Sequence, residues 1–260
     1  MAYQAFDLTG KVALITGGNS GIGLGMAEAV AQAGAAVCIW GTHAEKNATA
    51  LEKLTAYGTQ VSALLCNVAE ETEVEQCLSK TLAEFGRIDA CFANAGILSK
   101  PTSFLNISAA DWQRVLGVNL DGAFYTLRAA ARHMIDRAKN NDPGGRLVGT
   151  ASIAAVSGAA RNEPYAATKG GLISVINALA VEFAPYGITA NALLPGWVET
   201  DMTAGFFASQ TFTGAVKPRI PVGRWGRPAD FGAIAVYLMS DASAYHTGDA
   251  IRIDGGYLLF

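Results

Sequence analysis

Residues 11–23 read KVALITGGNSGIG. Lys11–Thr16 is a short apolar run of strand length, and a glycine-rich turn follows it. From about Gly21 to Ala33 apolar residues recur at helical spacing, and Gly34 ends that helix as a C′ glycine commonly does. Strand, glycine turn and helix in this order open a β-α-β unit. Glycines at such a turn let the backbone approach a pyrophosphate, which then sits at the positive end of the helix. The spacing is G-x-x-x-G-x-G rather than G-x-G-x-x-G. A tight strand–helix connection needs glycine for its own sake, so this stretch alone leaves both readings open.

The same alternation continues along the chain. Ala36–Gly41 is a second apolar run and Ala44–Tyr57 a second helix, stopped by Gly58. Gln60–Cys66 reads as a third strand, and Glu70–Phe85 as a helix with acids in its first turn, where the helix dipole favours them. Arg87–Phe92 is a fourth strand. Ser108 can cap one long helix running to about Arg137. Arg146–Ala151 is a fifth strand, and Pro164 suits the first turn of a helix reaching about Ala184. Ile188–Leu194 and Ala250–Ile253 complete seven strands, with an irregular or short-helical stretch from Pro195 to Pro221 and a helix from Pro228 to about Met239. Continuous apolar strands separated by helix-length spacers predict an α/β fold: one domain over residues 1–260, with a doubly wound, seven-stranded parallel sheet and helices on both faces.

Composition narrows the function classes. The chain has 260 residues, 51% of them hydrophobic, enough to bury one large core. Charged residues make up only 16% and the net charge is −3, with no basic block of the kind that binds nucleic acid. No apolar run has the length of a membrane span, and the N-terminus lacks the pattern of a secretory signal. Cys38, Cys66, Cys77 and Cys91 show no metal-ligand spacing and read as buried free thiols in a reducing compartment. His43, His133 and His246 form no ligand cluster, so no metal is expected. A cytoplasmic location follows as the default.

A second stretch carries chemistry. Ser152 is followed by Tyr165 thirteen positions on and by Lys169 four beyond that. On a helix Tyr165 and Lys169 share one face. An adjacent ammonium favours a phenolate and lowers the tyrosine pKa, bringing acid–base exchange toward neutrality. Ser152 offers a hydroxyl that can polarise a carbonyl. A Tyr–Lys pair at helical spacing is also an ordinary surface pair, and nothing in the triplet alone decides.

Taken together, TGGNSGIG at 16–23, ANAG at 93–96, the Ser152–Tyr165–Lys169 triplet, Pro195-Gly196 with Thr200, and TGDAIRIDGGY at 247–257 resemble the short-chain dehydrogenase/reductase family over essentially the whole chain. The resemblance implies a Rossmann-type fold and hydride transfer between a nicotinamide cofactor and a secondary alcohol or ketone. It implies Tyr165 as acid/base, with Lys169 tuning it and holding the nicotinamide ribose. Ser152 would hydrogen-bond the substrate oxygen, and Asn119 would hold a water in a proton relay. For the cofactor it implies Gly17, Asn19, Ser20, Gly21, Ile22 and Gly23 at the first turn. Asn94, Ala95 and Gly96 would sit at the end of strand four, and Pro195, Gly196, Val198 and Thr200 would flank the nicotinamide.

Two departures bear on the cofactor. After strand two, Gly41, Thr42 and His43 stand where an NAD enzyme has an acid for the ribose 2′-hydroxyl. Nothing there repels a 2′-phosphate, and Thr42, His43 and Lys46 can donate to one, which leans the reading to NADP(H) over NAD(H) although no arginine marks the site. Asn67-Val68 replaces the family's Asp-Val, and an asparagine carbonyl can still accept from the adenine amino group.

The substrate is less legible. Trp197, Met202, Phe206, Phe207 and Phe212 lie in a lid at about 197–221. They suit a ring or alkyl carbonyl compound, or simply pack the lid onto the body. Arg161, Asn162 and Glu163 reach a polar substrate or form a solvated loop, and Leu98 and Ser99 border the pocket. The helix from Pro164 is apolar nearly all round, so one face goes to the sheet and another to a partner subunit; the family resemblance implies a homotetramer. A same-fold lyase or isomerase and a non-catalytic dinucleotide sensor are the competing readings. The intact Ser152–Tyr165–Lys169 set argues against both.

Overall fold

The computed structural model describes residues 4–100 and 102–259. Seven parallel strands form one sheet: β1 (Val12–Thr16), β2 (Ala36–Gly41), β3 (Val61–Leu65), β4 (Ala90–Ala93), β5 (Gly145–Thr150), β6 (Ile188–Pro195) and β7 (Ala250–Ile253). Their spatial order is β3-β2-β1-β4-β5-β6-β7. The winding reverses between β1 and β4. A crevice therefore opens at the carboxyl ends of these two strands, and in open α/β sheets that is where ligands bind.

Each face of the sheet carries a layer of helices. Leu14, Cys38, Leu147 and Ala190 pack with side chains of α3 (Glu71–Phe85), α5 (Gly122–Lys139) and α7 (Glu163–Glu182). Ile15, Val37, Ile39 and Phe92 pack on the other face with α1 (Gly21–Gln32), α2 (Ala44–Thr55) and α10 (Gly232–Met239). Alternation along each strand thus feeds both layers, which is why the strands read as unbroken apolar runs. All four cysteines are buried and free. Trp40, fully buried, has its indole N–H satisfied by the Thr81 hydroxyl at 3.2 Å.

Three element boundaries differ from expectation. The strand expected from Arg87 begins at Ala90. The three residues before it form a polar clamp, in which Asp89 accepts from the Val12 amide and receives Arg87 and Arg137. The single helix expected from Ser108 to Arg137 is instead α4 (Ala109–Leu116), a π turn (Gly117–Asp121) and α5. Ser108 caps it as expected, accepting from the Asp111 amide at 3.0 Å. The helix expected from Pro228 opens with a 3-10 turn before α10.

Stretch 197–221 folds over the crevice as α8 (Ala204–Phe207), α9 (Gln210–Val216) and a short 3-10 turn. Its aromatic residues join it to the body. Phe207 stacks on Trp225 with centroids 4.2 Å apart, and Trp197 meets Phe212 edge-on at 4.9 Å. Ile153, Val216, Ile220 and Tyr257 complete that cluster.

Candidate active site

The crevice is a cleft of about 500 Å³. At its first end, Gly17 and Gly21 adopt φ of +62° and +53°, conformations that glycine reaches without strain. Ser20 is the N-cap of α1 but makes no side-chain capping bond, so first-turn amides remain for a ligand. Gly18 packs so closely that a Cβ there would come within 2.6 Å of the Ile39 side chain. A Cβ on Gly23 would collide with the Gly17 carbonyl. Asn94 Nδ2 donates to the Thr16 carbonyl at 3.0 Å, and the Thr16 hydroxyl accepts from the Asn94 and Ala95 amides. The turn is thus tied to the end of β4.

The end of the cleft where the adenosine is expected follows β2. Gly41, Thr42, His43 and Lys46 line it together with Asn67 and Val68. Asn19 Nδ2 donates to Asn47 Oδ1 at 2.7 Å, and Asn47 Nδ2 donates to the Gly41 and Leu64 carbonyls. A Cβ on Gly41 would strike both asparagines, so glycine is required there. Asn67 Oδ1 accepts from the Ala69 amide at 3.2 Å, which leaves a second lone pair for a ligand. Lys46, expected to be free for a phosphate, forms an ion pair with Asp201 at 2.6 Å.

The far end holds the expected triplet. Tyr165 and Lys169 sit one turn apart on α7, and Ser152 is the second residue after β5. Lys169 is buried and its Nζ donates to the Thr150 carbonyl at 2.6 Å. Burial pushes its pKa down to about 8. Burial raises the Tyr165 pKa, and the Ser152 hydroxyl, hydrogen-bonded to the phenol, pulls it partly back. Burial sets the direction of the shift and Ser152 opposes it, with no contribution from Lys169. Its ammonium lies 5.5 Å from the ring centroid and turns its hydrogen bond to Thr150. Desolvation of the phenol is the larger effect.

Asn119 is fully buried in the π turn. Its Oδ1 accepts from the Ile97 amide at 2.8 Å, and its Nδ2 donates to the Ile97 carbonyl and the Thr168 hydroxyl. The extra residue of a π turn rotates one side chain inward, and such turns occur often at functional sites. A Cβ on Gly96 would lie 3.3 Å from Asn119 Oδ1 and 3.4 Å from Lys169 Nζ, so both groups face the space above that glycine.

All but two of the expected site residues line this one cleft: Gly17, Asn19, Ser20, Gly21, Ile22, Gly41, Thr42, His43, Asn67, Val68, Asn94, Ala95, Gly96, Ser152, Tyr165, Lys169, Pro195, Gly196, Val198 and Thr200. Gly23 and Asn119 stand behind it. The reading missed Asn47, Thr150 and Asp201, whose roles depend on contacts across the chain. Asn162 proves to be a strut: its Oδ1 accepts from the Ser99 amide and hydroxyl. No helix of the described residues is long and apolar enough to cross a membrane, and these residues contain no metal-ligand cluster.

A dinucleotide fold whose cleft ends in a Ser–Tyr–Lys set, with the serine and lysine buried and the tyrosine half-buried, defines an oxidoreductase class. Residues 17–258 match the family model described as enoyl-(acyl carrier protein) reductase. The chain is 36% identical to 2-dehydro-3-deoxy-D-gluconate 5-dehydrogenase of Escherichia coli K12, covering 99% of both chains. It is 37% identical to the 3-oxoacyl-(acyl-carrier-protein) reductase FabG of Chlamydia pneumoniae, over 96% of this chain and 97% of that one. A gluconate 5-dehydrogenase from Burkholderia cenocepacia J2315, solved in complex with NADP and tartrate, superposes with a TM-score of 0.93 at 34% identity over the full length of both. This chain belongs to the short-chain dehydrogenase/reductase family. It is an NAD(P)-dependent oxidoreductase acting on CH–OH and C=O groups. The glycine cradle, the uncapped first turn of α1 and the polar adenosine end fit such a cofactor.

Proposed function

We propose that the protein reduces a ketone, or oxidises the matching secondary alcohol, with Tyr165 as the acid/base. The observation that carries this reading is the placement of Ser152, Tyr165 and Lys169 together at the far end of the cleft, away from the glycine turn and next to Pro195 and Gly196. The bound nicotinamide supplies or accepts the hydride. The chain's own groups handle orientation and the proton. Ser152 donates to the substrate oxygen and shares a hydrogen bond with the Tyr165 phenol. Burial keeps the phenol protonated at neutral pH, and a developing alkoxide, a much stronger base than a phenolate, takes its proton. Asn119 and Lys169, facing the space above Gly96, hold a water that returns the proton from solvent.

NADP(H) is the preferred cofactor in this reading, supported by Thr42, His43 and Lys46 at the adenosine end, where no acid closes β2. The substrate is an uncharged ketone with an apolar body, supported by Ile97 and Met202 in the lining of the cleft and by the aromatic lid. The assembly is a homotetramer, supported by exposed Phe124 on α5 and Val181 on α7; light scattering that returns a monomeric mass contradicts it. The activity is tested by following 340 nm absorbance with NADPH and NADH against cyclic and alkyl ketones, keto sugar acids and a 3-oxoacyl thioester. Turnover of neutral ketones with NADPH in preference to NADH is expected. Turnover confined to acidic substrates, or to NADH, contradicts the substrate or cofactor reading respectively.

A further inference from the structure

The ion pair between Lys46 Nζ and Asp201 Oδ2, at 2.6 Å, joins residues 155 positions apart. Lys46 lies in the first turn of α2, three residues beyond His43. Asp201 directly follows Thr200 at the start of the lid, and Thr200 stands close enough to the first turn that a Cβ on Gly21 would come within 3.1 Å of its methyl group. Lys46 and Asp201 both line the cleft, so their pair crosses its mouth between the adenosine end and the lid. The side chains are 46% and 76% exposed. A pair this exposed contributes under about 1 kcal/mol and exchanges partners readily.

We propose that Asp201 competes with the 2′-phosphate of NADP(H) for Lys46, so that this carboxylate sets how strongly the enzyme prefers NADP(H) to NAD(H). A phosphate monoester presents up to two charges and three acceptor oxygens, against the single charge of Asp201, and therefore takes the ammonium from it. Thr42 and His43 stand beside Lys46 to share the same phosphate. The preference is then set by a contest between two acceptors for one lysine, with no arginine needed. The inference rests on the dinucleotide reading of the cleft.

Affinities for NADPH and NADH, measured by fluorescence titration of the whole protein, test it. Both residues are on the surface, so the variants fold. Lys46→Met weakens NADPH binding about tenfold and NADH binding less than twofold. Asp201→Asn strengthens NADPH binding about three- to fivefold and leaves NADH within twofold. Once Lys46→Met is in place, Asp201→Asn has no further effect on NADPH. Equal losses of both cofactors in Lys46→Met would overturn the proposal by placing Lys46 on a group they share. An equal gain from Asp201→Asn in both backgrounds would also overturn it, since Asp201 would then act by direct repulsion. Failure of the unaltered protein to bind either cofactor would instead remove the dinucleotide reading of the cleft, and the proposal with it.

Discussion

Lys169 Nζ reaches from α7 to the carbonyl of Thr150, the last residue of β5, at 2.6 Å. The first half of α7 is thereby fixed to the sheet through a buried ammonium. Burial holds its pKa near 8, below the value of about 10.4 in an unfolded chain. Between those values the unfolded state binds more protons, so stability gains with rising pH; below pH 8 the full cost of the buried charge is present. Lys169→Met removes this titration. Denaturant unfolding from pH 7 to 10.5 should show the unaltered protein gaining roughly 3 kcal/mol relative to Lys169→Met across that window. A difference that stays flat with pH contradicts a buried, titrating Lys169.

The Ser152 hydroxyl is the group that lowers the Tyr165 pKa against burial. Ser152→Ala removes that influence and leaves desolvation unopposed. In alcohol oxidation the phenolate is the base, so the rising limb of kcat/KM against pH should move upward in Ser152→Ala. Activity at neutral pH should fall about 100-fold or more. An unmoved limb with reduced activity would mean that Ser152 only positions the substrate.

Gly96 leaves the space that Asn119 Oδ1 and Lys169 Nζ face. Gly96→Ala fills it with one methyl group, tight against Asn119 Oδ1 at 3.3 Å and in contact with Lys169 Nζ at 3.4 Å. The expected result is a fall in kcat of at least about tenfold, with a much smaller change in melting temperature. Unchanged turnover in a folded Gly96→Ala protein removes the proton route from the account.

A Cβ on Gly23 would collide with the Gly17 carbonyl and come within 2.5 Å of Asn94 Nδ2. Gly23→Ala must therefore open the first turn. Overpacking of this kind costs about 1–3 kcal/mol, which for a chain of this size lowers the melting temperature by several degrees. Cofactor should also lose most of its stabilising effect on the variant. Full stabilisation by NADPH would mean that the turn tolerates the methyl group.

The strands and glycine turn were legible because each depends on local pattern: apolar runs for a sheet covered on both faces, and glycine where φ is positive. Gly34, at φ of +100°, directly follows the cap of α1 as read, whereas α2 stops at Thr55, two residues short of the expected Tyr57, with Gly58 at φ of +77° beyond it. The boundary of β4 was not legible, because Asp89 is removed from the strand by arginines 2 and 48 residues away. The π turn was also invisible. VNLDGAF has ordinary helical composition, and the turn is fixed by the bonds of Asn119 to Ile97 and Thr168. Spacing put Tyr165 and Lys169 one turn apart on one helix, but the burial that raises the phenol's pKa belongs to the assembled site and is not carried by spacing. Lys46 read as a free cation because nothing near it in sequence announces Asp201.

The central claim is that Tyr165 exchanges the proton during hydride transfer. Tyr165→Phe removes one oxygen and keeps the ring. Single-turnover reduction of a ketone substrate by NADPH should slow by at least about 1,000-fold in this variant, with NADPH affinity within threefold of the unaltered protein. Turnover within tenfold of the unaltered protein would contradict the claim and move the acid/base to another group in the cleft.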